Sequence, residues 1–220
     1  MVRRYRGLHD LPATLAVFPL PAALLLPRGR LPLNVFEPRY LTMVDAAMGG
    51  TRLIGMVQPL PGLEQAERPP LCEVGCVGRI TSYAETDDGR YLITLTGLAR
   101  FRVGSERDAT TPYRQIAADF APYAGDLVIA DADPTVDRTR LAAALKAFIK
   151  ARNLKADLGS IEEAPAEPLI NTLAMICPFP PAEKQALLEA PDLAARAKLL
   201  LAFLELPNLP GVAGSKGQLH

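Results

Sequence analysis

The sequence predicts an α+β chain: an amino-terminal antiparallel, partly closed β-barrel over residues 1–123, a connector over 124–136, a carboxyl-terminal α-helical bundle over 137–206 and a tail over 207–220. Three observations predict it. Before Tyr123 the chain supplies at least six β-prone runs and one convincing helical run. After Val136 the apolar period is helical. Strand and helix do not alternate in the first half, which disfavours a parallel α/β sheet. Apolar residues at 49% and charged residues at 22% suit a folded chain with a sizeable core.

In order, Arg3, Arg4 and Arg6 form a basic start broken by Tyr5 and Gly7, expected to be a solvated tail. Leu15-Ala-Val-Phe18 and Ala22-Ala-Leu-Leu-Leu26 are short apolar runs separated by Pro19 and Pro21. Each proline lacks a ladder donor, so this corner is expected at a sheet edge or a bend between strands. Pro27-Arg28-Gly29 is a turn. Leu31, Leu33 and Val35 then alternate with Pro32, Asn34 and Phe36, the period of a strand with unlike faces. At Pro38, suited to a first helical position, the period changes. Tyr40, Leu41, Val44, Ala47 and Met48 form one helical stripe, and Gly49-Gly50 stops it.

Arg52 to Gln58 is a buried strand, and Pro59 to Pro70 is a surface loop holding Glu64, Glu67 and Arg68. Leu71 to Tyr83 gives one strand or two, with Gly75 and Gly78 marking bulges or close backbone approach. Asp87-Asp-Gly89 is expected to close a hairpin through a tight primed turn. Asp87 and Asp88 are adjacent carboxylates, but turn chemistry explains both. Tyr91 to Thr96 is a strand that Gly97 bends into Leu98 to Val103, where Leu98, Arg100 and Arg102 share one face. Tyr113 to Tyr123 adds another strand. Thr135 or Asp137 caps a helix carrying Leu141, Leu145, Phe148 and Ile149. Pro168 to Ile176, with Leu169, Leu173 and Ile176 on one side, Pro181 to Glu189, and a last helix capped by Asp192 complete the set.

Val17-Phe-Pro-Leu20, Arg30 to Tyr40, Val74 to Ile80, Tyr91 to Val103 and Glu183 to Glu189 stand in an order that resembles the amino-terminal domain of Lon proteases, in particular the stand-alone bacterial proteins of that kind. The resemblance implies a PUA-like barrel and a role in binding substrate proteins. Full-length members join this domain to an ATPase and a Ser–Lys peptidase. Neither a Walker phosphate loop nor a nucleophile elbow occurs in these 220 residues, so no catalytic residue and no cofactor is expected.

Other classes recede on composition. Lys and Arg number 24, as do Asp and Glu, so the net field does not favour nucleic acid. The apolar runs fall short of the ~18 residues of a membrane span, and a cytoplasmic, soluble protein is expected. The odd number of cysteines, three, argues against a disulfide framework. Cys72 and Cys76 could suggest metal, yet four separations on a strand also place two small side chains in a core, the reading preferred here. The expected partners are unfolded or apolar protein segments, with an associated protease or chaperone. The expected surface comprises Asn34, Phe36, Arg39, Tyr40 and Met43. The alternative is RNA binding through Arg100 and Arg102, unless one of these pairs with a carboxylate such as Glu37.

Overall fold

A computed structural model of the chain describes residues 5, 7–108, 110–128, 137–154 and 164–206. Its strands are β1 (Thr14–Pro19), β2 (Arg30–Val35), β3 (Leu53–Val57), β4 (Val74–Glu85), β5 (Tyr91–Glu106) and β6 (Gln115–Asp119). Helix α1 (Pro38–Met48) follows β2, and α2 (Arg138–Ala151), α3 (Ala166–Ile176), α4 (Pro181–Glu189) and α5 (Leu193–Glu205) come after the sheet. The expected tail at 207–220, the connector residues 129–136 with the alternative cap Thr135, and most of the 1–6 arm lie outside the described residues.

The strands make one mixed sheet in the order β2-β5-β4-β3-β1-β6, and the far half of the long β5 pairs again with β6. The sheet thus curls back on itself at one end and leaves β2 with the near half of β5 and β4 as an arm. This corrects the antiparallel barrel expected from the sequence. β1 and β3 run parallel, with Val17 opposite Gly55 and Pro19 opposite Val57. β1 is an interior strand, not an edge, and the corner takes the other expected form, a bend: Pro19 ends β1 and Pro21 stands in the turn after it. The strand tolerates Pro19 because the proline is its last residue and the next N–H, that of Leu20, donates to Val57 O at 3.0 Å.

Two apolar clusters hold the structure. The smaller fills the curled end with Leu15, Val17, Leu53, Val77, Phe101 and Ile116. The larger lies on the other face, where Leu24 to Leu26, Ile54, Cys76 and Leu95 meet Tyr40 and Met43 of α1 and Phe148, Ile170, Leu187 and Leu204 of the later helices. Short helices depend on such packing. Here α2, α3 and α4 each contact α5, and α4 rests on β4, so the helices share their core with the sheet instead of standing as a separate bundle. Cys72, Cys76 and Cys177 are buried free thiols.

Local differences have local causes. Gly89 alone in the hairpin has positive φ (78°), and its N–H donates to Thr86 O at 2.9 Å. A primed turn requires left-handed backbone at its central residues, so this one is instead an ordinary turn followed by a left-handed glycine. Gly97 sits where a Cβ would collide with the carbonyl oxygen of Leu26. Ile176, expected in the core stripe of α3, is 66% exposed, because it is the last helical residue before the chain turns at Cys177.

Candidate functional site

The site is built from the start of α1. Glu37 precedes the helix, Pro38 opens it, and the N–H groups of Tyr40 and Leu41 both donate to Glu37 O at 2.9 Å. This fixes two side chains. The Tyr40 ring packs against Phe18 at 4.1 Å between centroids, and the Arg39 guanidinium lies 4.5 Å from the centroid of the Tyr40 ring. Arg39 also pairs with Glu37 at 2.8 Å. Burial pushes the Tyr40 hydroxyl pKa above its ordinary value, with the Arg39 charge opposing that shift.

Facing this wall is the 59–70 loop. Its neck is closed by Leu60 N–H donating to Pro70 O at 2.7 Å, and Arg114 Nη1 donates to Pro69 O at 2.7 Å. Arg68 of the loop and Arg114 both pair with Glu106. Burial raises the Glu106 pKa, but the hydrogen bonds from Arg114 and Arg68 outweigh it and hold the carboxyl below the usual range. Between α1, the loop and the segment entering β6 lies a cleft of about 720 Å³. Its walls include Phe18, Pro19, Leu20, Tyr40, Pro112 and Tyr113, and its rim carries Glu37, Arg39, Glu64, Glu67, Arg68, Arg107 and Arg114. The cleft therefore sets a small apolar floor, in which Phe18 and Tyr40 are nearly buried, among charges of both signs.

The five residues expected at a binding surface separate three ways. Arg39 and Tyr40 line the cleft. Asn34 and Phe36 are exposed but sit at the end of β2, outside the cleft lining. Met43 has no exposed surface; it points from α1 into the core and is not a binding residue. Sequence reasoning missed Phe18 to Leu20 as lining, although they lie in a resemblance block, and it gave Glu64, Glu67 and Arg68 no role beyond a surface loop. Arg107 and Tyr113 carried no signal in the sequence.

The two arginines proposed for RNA also part company. Arg100 is buried, with Nε and Nη2 each 2.9 Å from the two carboxylate oxygens of Asp126. Its Nη1 donates to Leu188 O and Ala190 O at 3.2 and 2.6 Å, and its guanidinium sits 4.6 Å from the Tyr123 ring centroid. The partner is Asp126, not Glu37, and the cation closes the carboxyl end of α4, where free carbonyls favour positive charge. Arg100 thus has no hydrogen-bonding capacity left for phosphate. Arg102 is exposed and lines a second groove of about 560 Å³ with Tyr123, Gln185 and Glu189.

Among the described residues no cluster of His, Cys, Asp and Glu could hold a metal ion. No described helix is long and apolar enough to cross a membrane. Burial pushes the thiols of Cys72 and Cys177 up to about 11.

The model of the ATP-dependent protease La (LON) substrate-binding domain matches residues 14–205. The chain belongs to the Lon substrate-binding domain family. Its curated relatives include Lon protease 2 of Sorangium cellulosum, 29% identical over 86% of this chain and 24% of that protein. Lon protease 2 of Myxococcus xanthus is 30% identical over 89% of this chain and 24% of that protein. The chain therefore spans about a quarter of the length of these Lon proteases. Among solved structures, a Lon N-terminal domain protein from Xanthomonas campestris has 25% identity and a TM-score of 0.60, over 86% of this chain and 98% of that one. The N-terminal domain of the Mycobacterium avium complex Lon protease, at 17% identity and TM-score 0.60, shares the fold over 87% of this chain and 98% of its own. In the Lon family comparison the matched region starts at β1 and ends in α5, so it contains the whole cleft.

Proposed function

We propose that this Lon-family domain is a non-catalytic module that binds unfolded or apolar segments of other proteins in the cleft between α1 and the 59–70 loop. The observation that carries the reading is the cleft itself: an apolar floor of Phe18, Leu20 and Tyr40 within a rim whose arginines and glutamates largely neutralise one another. Such a surface suits a chain segment with exposed apolar side chains better than a single small anion. An adaptor role, delivering such segments to a protease or chaperone, follows from the same reading, as does a cytoplasmic location. RNA binding is not favoured, because Arg100 is consumed inside the fold.

Fluorescence titration with a reduced, carboxymethylated unfolded protein tests this. Affinity on the order of micromolar is expected, with most of it kept at high salt. Arg39→Glu, at an exposed position over Tyr40, is expected to weaken binding about tenfold with an unchanged melting temperature. Absence of binding, or full binding by Arg39→Glu, counts against the cleft.

A further inference from the structure

β2 is paired on one side only. Its neighbour is β5, and among the described residues no strand pairs with its other side. The ladder shows which groups that free side presents. Gly97 N–H donates to Gly29 O at 2.9 Å, one step before Arg30 meets Thr96. Bonded pairs in an antiparallel ladder recur every second residue. Leu31, Leu33 and Val35 therefore bond to β5, while Arg30, Pro32 and Asn34 turn their main-chain groups outward. Pro32 confirms the parity, because a proline has no N–H to lose at an outward position. Among the described residues, these outward groups have no main-chain partner.

The side chains alternate with the same period. Leu31 and Leu33 are half-buried against the core, and Arg30, Pro32 and Asn34 lie on the exposed face. On that face Arg30 is in register with Thr96, and Thr96 with Arg79. The neighbouring rows pair Pro32 with Thr94 and Ser82, and Asn34 with Leu92 and Ala84, so these rows contain two arginines and no carboxylate. No described acidic residue pairs with Arg30 or Arg79, and Arg79 Nε is buried without a hydrogen-bond partner. Two copies meeting symmetrically about Pro32 would oppose two prolines and lose both bonds of the central pair, whereas a client strand with a donor opposite Pro32 loses only one, so a different chain is the better occupant in that register.

We propose that the outer edge of β2 takes up an extended client segment as an additional strand, one whose apolar residues lie beside Leu31 and Leu33 and whose alternate acidic residues lie beside Arg30. This rests on the protein-binding reading above and names its substrate class. Main-chain bonds supply the grip and the two faces supply the selectivity, as in other cases of strand addition.

The test uses labelled peptides of about twelve residues that alternate Val with Glu or Val with Lys, titrated against the full chain. The Val/Glu peptide is expected to bind about tenfold more tightly, and Arg30→Glu to reverse the preference. N-methylation of one alternate set of peptide amides is expected to abolish binding, and of the other set to leave it intact, because only one set faces β2. Asn34→Pro removes an outward donor and is expected to weaken binding about fivefold with an unchanged melting temperature. Equal binding by the two N-methylated peptides, or by the Glu and Lys peptides, overturns the proposal. If that happens while unfolded protein still binds and Arg39→Glu weakens it, the edge is unused and the cleft reading stands. If neither peptides nor unfolded protein bind, both fall. A dimer in sedimentation that Asn34→Pro dissociates would assign the edge to a second copy and overturn the client reading.

Discussion

The seam between sheet and helices and the rim around α1 are both rich in polar side chains, yet they use them in opposite ways. At the seam the groups are sealed from water and spent on one another. Besides Arg100 with Asp126, Gln58 Nε2 donates to Gln185 Oε1 at 3.0 Å and to Pro181 O at 3.1 Å, and Gln185 Nε2 donates to Val74 O at 3.1 Å. Arg196 donates to Leu187 O and Asn171 Oδ1 at 2.9 and 3.0 Å. Burying such groups is tolerable only because nearly every one finds a partner. At the rim the ion pairs are partly or fully open to water, β2 keeps unbonded main-chain groups, and Phe36 and Leu92 face water at 63% and 46% exposure. The same residue type, arginine, is a structural bolt in one place and an accessible contact in the other. Burial, not residue identity, decides which.

The largest expected effect is at the seam. Arg100→Leu leaves the Asp126 carboxylate without its bidentate partner, and a loss of about 3–5 kcal/mol in urea unfolding is expected. Cleft binding, measured where the variant is still folded, should not change; if it does, seam and rim are coupled. Gln185→Leu strands Val74 O and removes one of the two acceptors of the Gln58 amide, and a loss of about 1–3 kcal/mol is expected in the same assay.

Smaller effects belong to the rim. Glu106→Gln releases Arg68 and Arg114 together, so faster limited proteolysis within 60–70 is expected with a stability change of at most about 1 kcal/mol. Because the folded pKa of Glu106 is lowered, its contribution is complete above the ordinary glutamate pKa and is lost as pH falls through the folded value. Acidification through the folded Glu106 pKa, below the usual glutamate range, should therefore reproduce the proteolytic signature of Glu106→Gln. Smallest of all is Glu37→Gln. Its side chain is 43% exposed and its partner is the near neighbour Arg39, so a change within about 0.5 kcal/mol is expected by thermal melting. A larger loss would move Glu37 into the sealed class.

The alternation of residues 31–35, the proline opening α1, the glycine stop and the caps Asp137 and Asp192 were legible along the chain, because each is a short-range code. Both caps accept the expected main-chain bond, from Arg140 N at 2.9 Å and Ala195 N at 2.8 Å. Tyr40 and Arg39 were legible as cleft residues through their block, whereas Met43, one turn on from Arg39, falls on the buried side of the same helix. The left-handed φ of 64° at Arg28 had no local signal. Its side chain reaches Glu167 and Asp126 O, two points far away in sequence.

By itself the sequence determined the elements and the family, since periodicity, caps and ordered blocks are properties of neighbouring residues. Tertiary structure alone decided that β1 and β3 run parallel, that Arg100 points inward and Arg39 outward, and that β2 keeps a free edge. Those outcomes depend on which distant strand or carbonyl arrives alongside, and a partner about 26 or 90 residues away leaves no mark on the local pattern.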